Sequence, residues 1–203
     1  MFPFPIAKKQ KCDIQQFYSD SIWNKPPGVS HVYMLLIGGG GNGNGSTTGG
    51  GSGAVTVWYG AAQNVPDSLN VSPSIGDGNP TTISTRNLSG ALTLFTANAG
   101  SGVTGGAATA VDYVGNAGFY TSIAGQNGAT GAVSASSTTF LSGGGVNINV
   151  VANYGYKTTG SGYFQLQPII VGVGGISSRV GGVGCGGGVT GTGGRGFVLI
   201  ASW

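Results

Sequence analysis

Residues 28–45 read GVSHVYMLLIGGGGNGNG, a compact apolar stretch that empties straight into glycine. The other end of the chain reverses the order: residues 193–203, GGRGFVLIASW, enter an apolar stretch through glycine. One segment leaves a strand through glycine and the other enters one through it, so the two read as the opening and closing strands of a single sheet. Antiparallel neighbours set the end of one strand beside the start of the other. Trp203 is therefore expected beside the turn at 23–28, with the indoles of Trp23 and Trp203 close to one edge. Trp23, Val32, Met34, Leu36, Phe197, Leu199 and Trp203 are the expected residues of this closure.

Composition points the same way. Glycine fills 43 of 203 positions, Glu is absent and only 6% of residues are charged. Glycine costs about 1 kcal/mol at a helical position, and the abundant Val and Thr fit a pleated surface better than a helix. The expected fold is all-β: a single β-sandwich, jelly-roll-like, over 23–203, with long Gly-rich loops and an extended N-terminal arm over 1–22. A surface of Ser, Thr, Asn and Gly with little charge is unlike that of an ordinary cytosolic enzyme.

Charge concentrates near the start, where Lys8, Lys9, Lys11, Asp13, Asp20 and Lys25 fall within 25 residues. The same stretch mixes proline with isolated aromatics, Phe2, Phe4, Phe17 and Tyr18. It reads as an attachment arm whose apolar side chains pack on a neighbour. Arg86, Lys157, Arg179 and Arg195 are scattered over the remainder, without the basic stripe that a nucleic-acid binder displays. The opening MFPFPIAKKQK lacks the order of a signal peptide, and no run of about 18 apolar residues offers membrane insertion. Cys12 and Cys185 are too few and too far apart for a zinc cluster or a disulfide framework, so two unpaired thiols are expected.

Along the chain, Pro26, Pro27 and Gly28 make a turn. The strand at 29–37 is apolar on both faces, which marks it as covered on both sides or as lying at a subunit contact. Residues 54–59 alternate as a half-buried strand does. Further strands are expected at 69–72, 81–88, 91–97, 111–114, 119–124, 146–151 and 163–173, with a surface excursion over 125–139. Turn chemistry separates several of them, as in Pro66-Asp67-Ser68 and Gly76-Asp77-Gly78-Asn79-Pro80. The glycine stretch 38–53 has no Lys-Ser/Thr pair and no helix former behind it, so it is no phosphate cradle. Residues 174–196 break the Gly-X-Y period of collagen within a few residues. Their glycines suit either close backbone packing or tight reversals, and the short runs favour reversals.

Catalytic constellations are incomplete. Glycoside hydrolysis needs two carboxyl groups flanking a bond, and outside the arm only Asp67, Asp77 and Asp112 remain, two of them in turns. His31 is the one histidine available to a triad, and its place in the first strand suits a packed or hydrogen-bonded ring. No Gly-x-Ser-x-Gly elbow occurs, and no His, Cys and carboxylate cluster suggests a metal. The expectation is a protein without enzymatic activity, cofactor or metal.

The order Trp23-x-Lys25-Pro26-x-Gly28, an apolar strand emptying into Gly38 to Gly41, a Gly-rich loop into a Val/Thr strand, and Pro66-Asp67-Ser68-Leu69-Asn70-Val71 resembles the glycine-rich virion surface proteins of bacteriophages. The ending, Gly193 to Trp203, is similar to the way many of those chains finish. The resemblance spans about residues 23–203. It implies a non-enzymatic structural protein located in the virion, of fibre, spike or decoration type, in capsid or tail. It also implies a homo-oligomer, most often a trimer, with the arm contacting other virion proteins and no nucleic-acid partner. The long repeated polyglycine tracts of the host-binding adhesins in that group are missing here, which favours a sandwich with long loops over a stacked polyglycine tip. Two alternatives accompany this reading. The Gly/Ser/Asn-rich loops could bind a host-surface glycan or receptor, or the arm could complement the sheet of the next subunit in an extracellular filament.

Overall fold

The structure is a computed structural model that describes residues 12–86, 90–110, 118–130, 178 and 180–203. Expected features at 1–11 (Phe2, Phe4, Lys8, Lys9 and Lys11 among them), 111–114, 131–139, 146–151 and 163–173 lie outside the described residues. The protein is all-β, with two antiparallel sheets and, among the described residues, one short 3-10 turn at Ala62–Asn64.

Nine strands are described: β1 Asp13–Phe17, β2 Ser21–Asn24, β3 His31–Ile37, β4 Val55–Ala61, β5 Ser68–Ser72, β6 Thr81–Thr85, β7 Thr93–Ala97, β8 Gly118–Ile123 and β9 Phe197–Ser202. One sheet has the order β1-β9-β3-β4-β8 and the other β2-β5-β6-β7. The expected pairing of the chain's two apolar segments is present, for β9 lies against β3 with Ile37 opposite Phe197 and Val32 opposite Ser202. The carbonyl of Trp203 accepts the backbone N–H of Ser30 and of His31 at 2.7 and 2.9 Å, which ties the last residue to the start of β3.

The double-sided pattern of β3 has a direct counterpart in packing. Val32, Met34 and Leu36 join a core fed by both sheets, with Trp23, Leu69, Val71, Ile83, Leu94 and Phe95 from one and Trp58, Val198 and Ile200 from the other. Leu35 and Ile37, on the opposite face, join Val55, Phe197, Leu199, Ala201 and Cys185 in a second cluster. Trp58 is fully buried and its ring lies 5.6 Å from that of Phe95. Burying one indole removes about 150–250 Å² from water, a gross stabilisation of about 4–6 kcal/mol before side-chain ordering is subtracted.

Two expectations are corrected here. The stretch 1–22 is not arm throughout: Asp13–Phe17 is the edge strand β1, paired residue for residue with β9. Phe17 is buried in the main core, while Tyr18, still exposed, sets its ring 4.9 Å from Phe197. An edge strand needs only one partner, and the segment supplies one buried ring and a row of backbone groups for it. The second correction concerns the indoles. Trp23 sits in β2 of the four-stranded sheet and points into the shared core, whereas Trp203 packs against the second cluster. Trp203 meets the start of β3 at Ser30 and His31, just past the expected turn at 23–28, and it does so through its backbone and not through its side chain beside Trp23.

Candidate functional site

β3 ends at Ile37 and β9 begins at Phe197, so both glycine stretches leave the same end of the five-stranded sheet. There they meet residues 49–54, 98–106, 125–129 and 181–187. Successive N–H groups along 49–54 donate to three neighbours in rotation. Gly49 donates to Ala129, Gly50 to Gly187 and Gly51 to Gly102; then Ser52 donates to Gln126, Gly53 to Gly184 and Ala54 to Asn98, all at 2.8–3.1 Å. A strand in a sheet has neighbours on two sides only. A bond direction that returns every third residue is the repeat of a polyproline II helix, which has no internal hydrogen bonds and must find every partner outside itself.

The 38–45 segment is tied in the same way: Gly40 donates to Gly194, Gly41 to Gly51 and Gly43 to Gly191, and the Gly41 carbonyl accepts from Gly187. The result is a lattice of extended backbones bonded in three dimensions. For the described glycines of 181–194 it overturns the expected tight reversals in favour of close backbone packing. Within the lattice only Gly45, Gly102 and Gly184 have φ in the left-handed region. Many of the others are needed for proximity. A Cβ on Gly53 would fall within 3.0 Å of the Gly38 and Gly39 backbone, one on Gly193 would meet Gly40, and one on Gly128 would meet Gly49. The close packing of glycine backbones is therefore built from several short segments.

Side chains clamp the lattice at its margins. Asp77 Oδ1 accepts the N–H of Gly102 at 2.7 Å and of Asn42 at 3.2 Å. Asn42 Oδ1 accepts the N–H of Gly193 at 3.0 Å. Asn44 Oδ1 accepts three consecutive N–H groups, those of Ser46, Thr47 and Thr48, at 2.9–3.0 Å, closing a loop at the outer end of the first glycine stretch. Buried Ser52 receives the Gln126 N–H at 2.7 Å. Cys185 is buried beside Ile37 and Phe197 at the base of the lattice, while Cys12 is exposed.

At the opposite end of the sheet, His31 Nδ1 lies 3.0 Å from Ser30 Oγ. Its ring is 5.7 Å from Tyr59 and 6.0 Å from Trp203, which are themselves 5.8 Å apart, with interplanar angles of 12–19°. Three nearly equal separations describe a triangle and not a column of stacked rings. His31 is thus packed against two aromatic rings and hydrogen-bonded to the Ser30 hydroxyl. Tyr33, next along the same face, has its phenol pushed above the ordinary value of 10.0 by burial. Asp67 pairs with Lys25 at 2.8 Å, and Lys25 also donates to the carbonyls of Ala62 and Val65, so this carboxylate holds a turn. Asp112 lies outside the described residues, and among those described no three His, Cys, Asp or Glu side chains converge on a point.

Of the residues singled out in the sequence, Val32, Met34, Leu36, Phe197 and Leu199 are gathered in the β3–β9 pair, with Trp203 at its end. The lattice clamps, Asn42, Asp77 and Ser52, were not foreseen as a group. The signal available was an Asp or Asn next to each glycine run, which sequence reads as ordinary turn chemistry. No protein-family model matches this chain, and no curated protein matches it.

Proposed function

We propose that the protein is a non-enzymatic structural component of a bacteriophage virion surface, a fibre, spike or decoration subunit in capsid or tail, built as a jelly-roll-like β-sandwich and capped by the glycine lattice. The observation that supports this reading most is the three-residue rotation of hydrogen bonds along 49–54. A lattice held by backbone bonds keeps its shape without long charged side chains, and it presents loops such as 44–48 and 101–104 from a rigid base. That suits a displayed, load-bearing object better than an enzyme, whose chemistry needs convergent titratable groups. The subunits form a homo-oligomer, a trimer in the first instance, and join other virion proteins through the segment before β1. A host-binding role is the second reading, supported by loops set on a rigid scaffold.

Because β1 belongs to the body, the attachment test removes residues 1–10 only. The shortened protein should keep its cooperative melting transition and no longer join particles, and full incorporation would end the attachment claim. Gold-labelled antibody to the purified protein should decorate particles in the electron microscope. Filaments formed by the protein alone would favour the extracellular-filament alternative.

A further inference from the structure

Between the lattice and the β5–β6 turn lies a cleft of about 670 Å³, within the range of about 300–1,000 Å³ usual for small-molecule sites. Asn42, Asp77, Asn79, Thr192 and Arg195 line it, and Gly76 of the turn with the lattice glycines 181, 193 and 194 form its walls. Ile75 and Val180 line it as well and are 76% and 64% exposed. A single exposed aliphatic residue is ordinary. Two beside one polar cleft give a ligand an apolar surface to lie on.

The polar groups are fixed before any ligand arrives. Asp77 spends Oδ1 on the N–H groups of Gly102 and Asn42, Asn42 spends Oδ1 on Gly193, and Asn79 Nδ2 donates to the Asp77 carbonyl at 3.0 Å. That leaves Asp77 Oδ2 and Asn79 Oδ1 to accept, and Asn42 Nδ2 to donate. Arg195 lines the same cleft, exposed, and forms no ion pair with Asp77. Acceptors and donors side by side match hydroxyl groups, which donate and accept at once. The guanidinium adds a fork for a carboxylate. A metal ion would be repelled by Arg195 and find too few oxygens, and a polyanion would meet Asp77 with a single cation to balance it.

We propose that this cleft binds an acidic sugar, with ring hydroxyls on Asp77, Asn42 and Asn79, the sugar carboxylate on Arg195 and the C–H face against Ile75 and Val180. The inference does not depend on the virion assignment, since it rests on described residues of this chain alone. Saturation-transfer NMR and titration on the full-length protein test it, with glucuronate, galacturonate and N-acetylneuraminate as acidic probes and glucose and acetate as controls. At least one acidic sugar should bind with Kd on the order of 1 mM, as suits one ring making a few hydrogen bonds. Glucose should bind at least about tenfold more weakly, the loss expected when a charge-assisted pair is missing, and acetate should not bind measurably. Arg195→Met should reduce the acidic sugar to the level of glucose, and Asp77→Asn should weaken both sugars. Arg195 gives the lattice its backbone carbonyl, through the Gly184 N–H, so the first variant keeps its fold even if the second melts early. No saturation transfer to any sugar would overturn the proposal, as would acetate binding as tightly as the acidic sugars or binding that survives both substitutions.

Discussion

Gly53→Ala separates the two uses of glycine. Gly53 has no positive φ, so alanine can adopt its backbone conformation. At a position of that kind with free space, Gly→Ala stabilises by about 0.4–1 kcal/mol through the unfolded chain. Here the new methyl would enter the Gly38 and Gly39 backbone, with no flexible side chain to move aside. Overpacking of this sort costs about 1–3 kcal/mol. Any shift that relieves it pulls on the bonds from Gly53 to Gly184 and from Gly38 to Ala54, and a buried group left unsatisfied costs about 1–3 kcal/mol more. A net loss of about 3 kcal/mol lowers Tm by about 6–12 °C in a chain of this size. The comparison is Gly45→Ala, where φ is +80° and a Cβ has nothing within 4 Å. That change carries only left-handed strain, about 1–2 kcal/mol. Calorimetry and denaturant midpoints on both variants decide the matter. If Gly53→Ala leaves Tm unchanged or raises it while Gly45→Ala lowers it, the glycines are reversals and the lattice argument fails.

Ser202 Oγ is buried without a hydrogen-bond partner, so Ser202→Ala should raise stability by about 1 kcal/mol, read as a higher urea midpoint; a lower midpoint would reveal a partner for the hydroxyl. Removing residues 197–203 takes out β9, which stands between β1 and β3, and should abolish the cooperative transition in circular dichroism. A soluble truncation that still melts cooperatively would show that the sheet closes without that strand. Tyr33 holds its proton more tightly folded than unfolded, so above pH 10 the unfolded chain binds fewer protons and stability falls as pH rises. Tyr33→Phe should flatten that alkaline loss in denaturant titrations between neutral pH and pH 11, and an unchanged slope would assign the loss to another group.

Much of the β structure was legible along the chain, because a strand's alternation is a local property. β3, β4, β5, β7 and β8 fall where apolar periodicity and turn residues put them, each within a few residues. The β3–β9 pairing was legible too, since one apolar segment leaves through glycine and the other enters through it, as antiparallel neighbours at one end of a sheet do. β1 was not: five residues with alternating burial, DIQQF, look the same in an arm and in an edge strand. Its partner lies at the far end of the sequence.

The glycines mark the limit most clearly. Composition alone required an all-β chain with little charge, and it required that glycine serve some backbone purpose. It left open which purpose, since a left-handed turn and a contact between two backbones ask for the same missing Cβ. What decides is the distance to a neighbour such as Gly38 beside Gly53 or Gly40 beside Gly193, and that distance exists only once distant segments have met. Asn42, Asp77 and Arg195 share a cleft for the same reason. Each stands by a glycine run in the sequence, and the packing of those runs brings the three together.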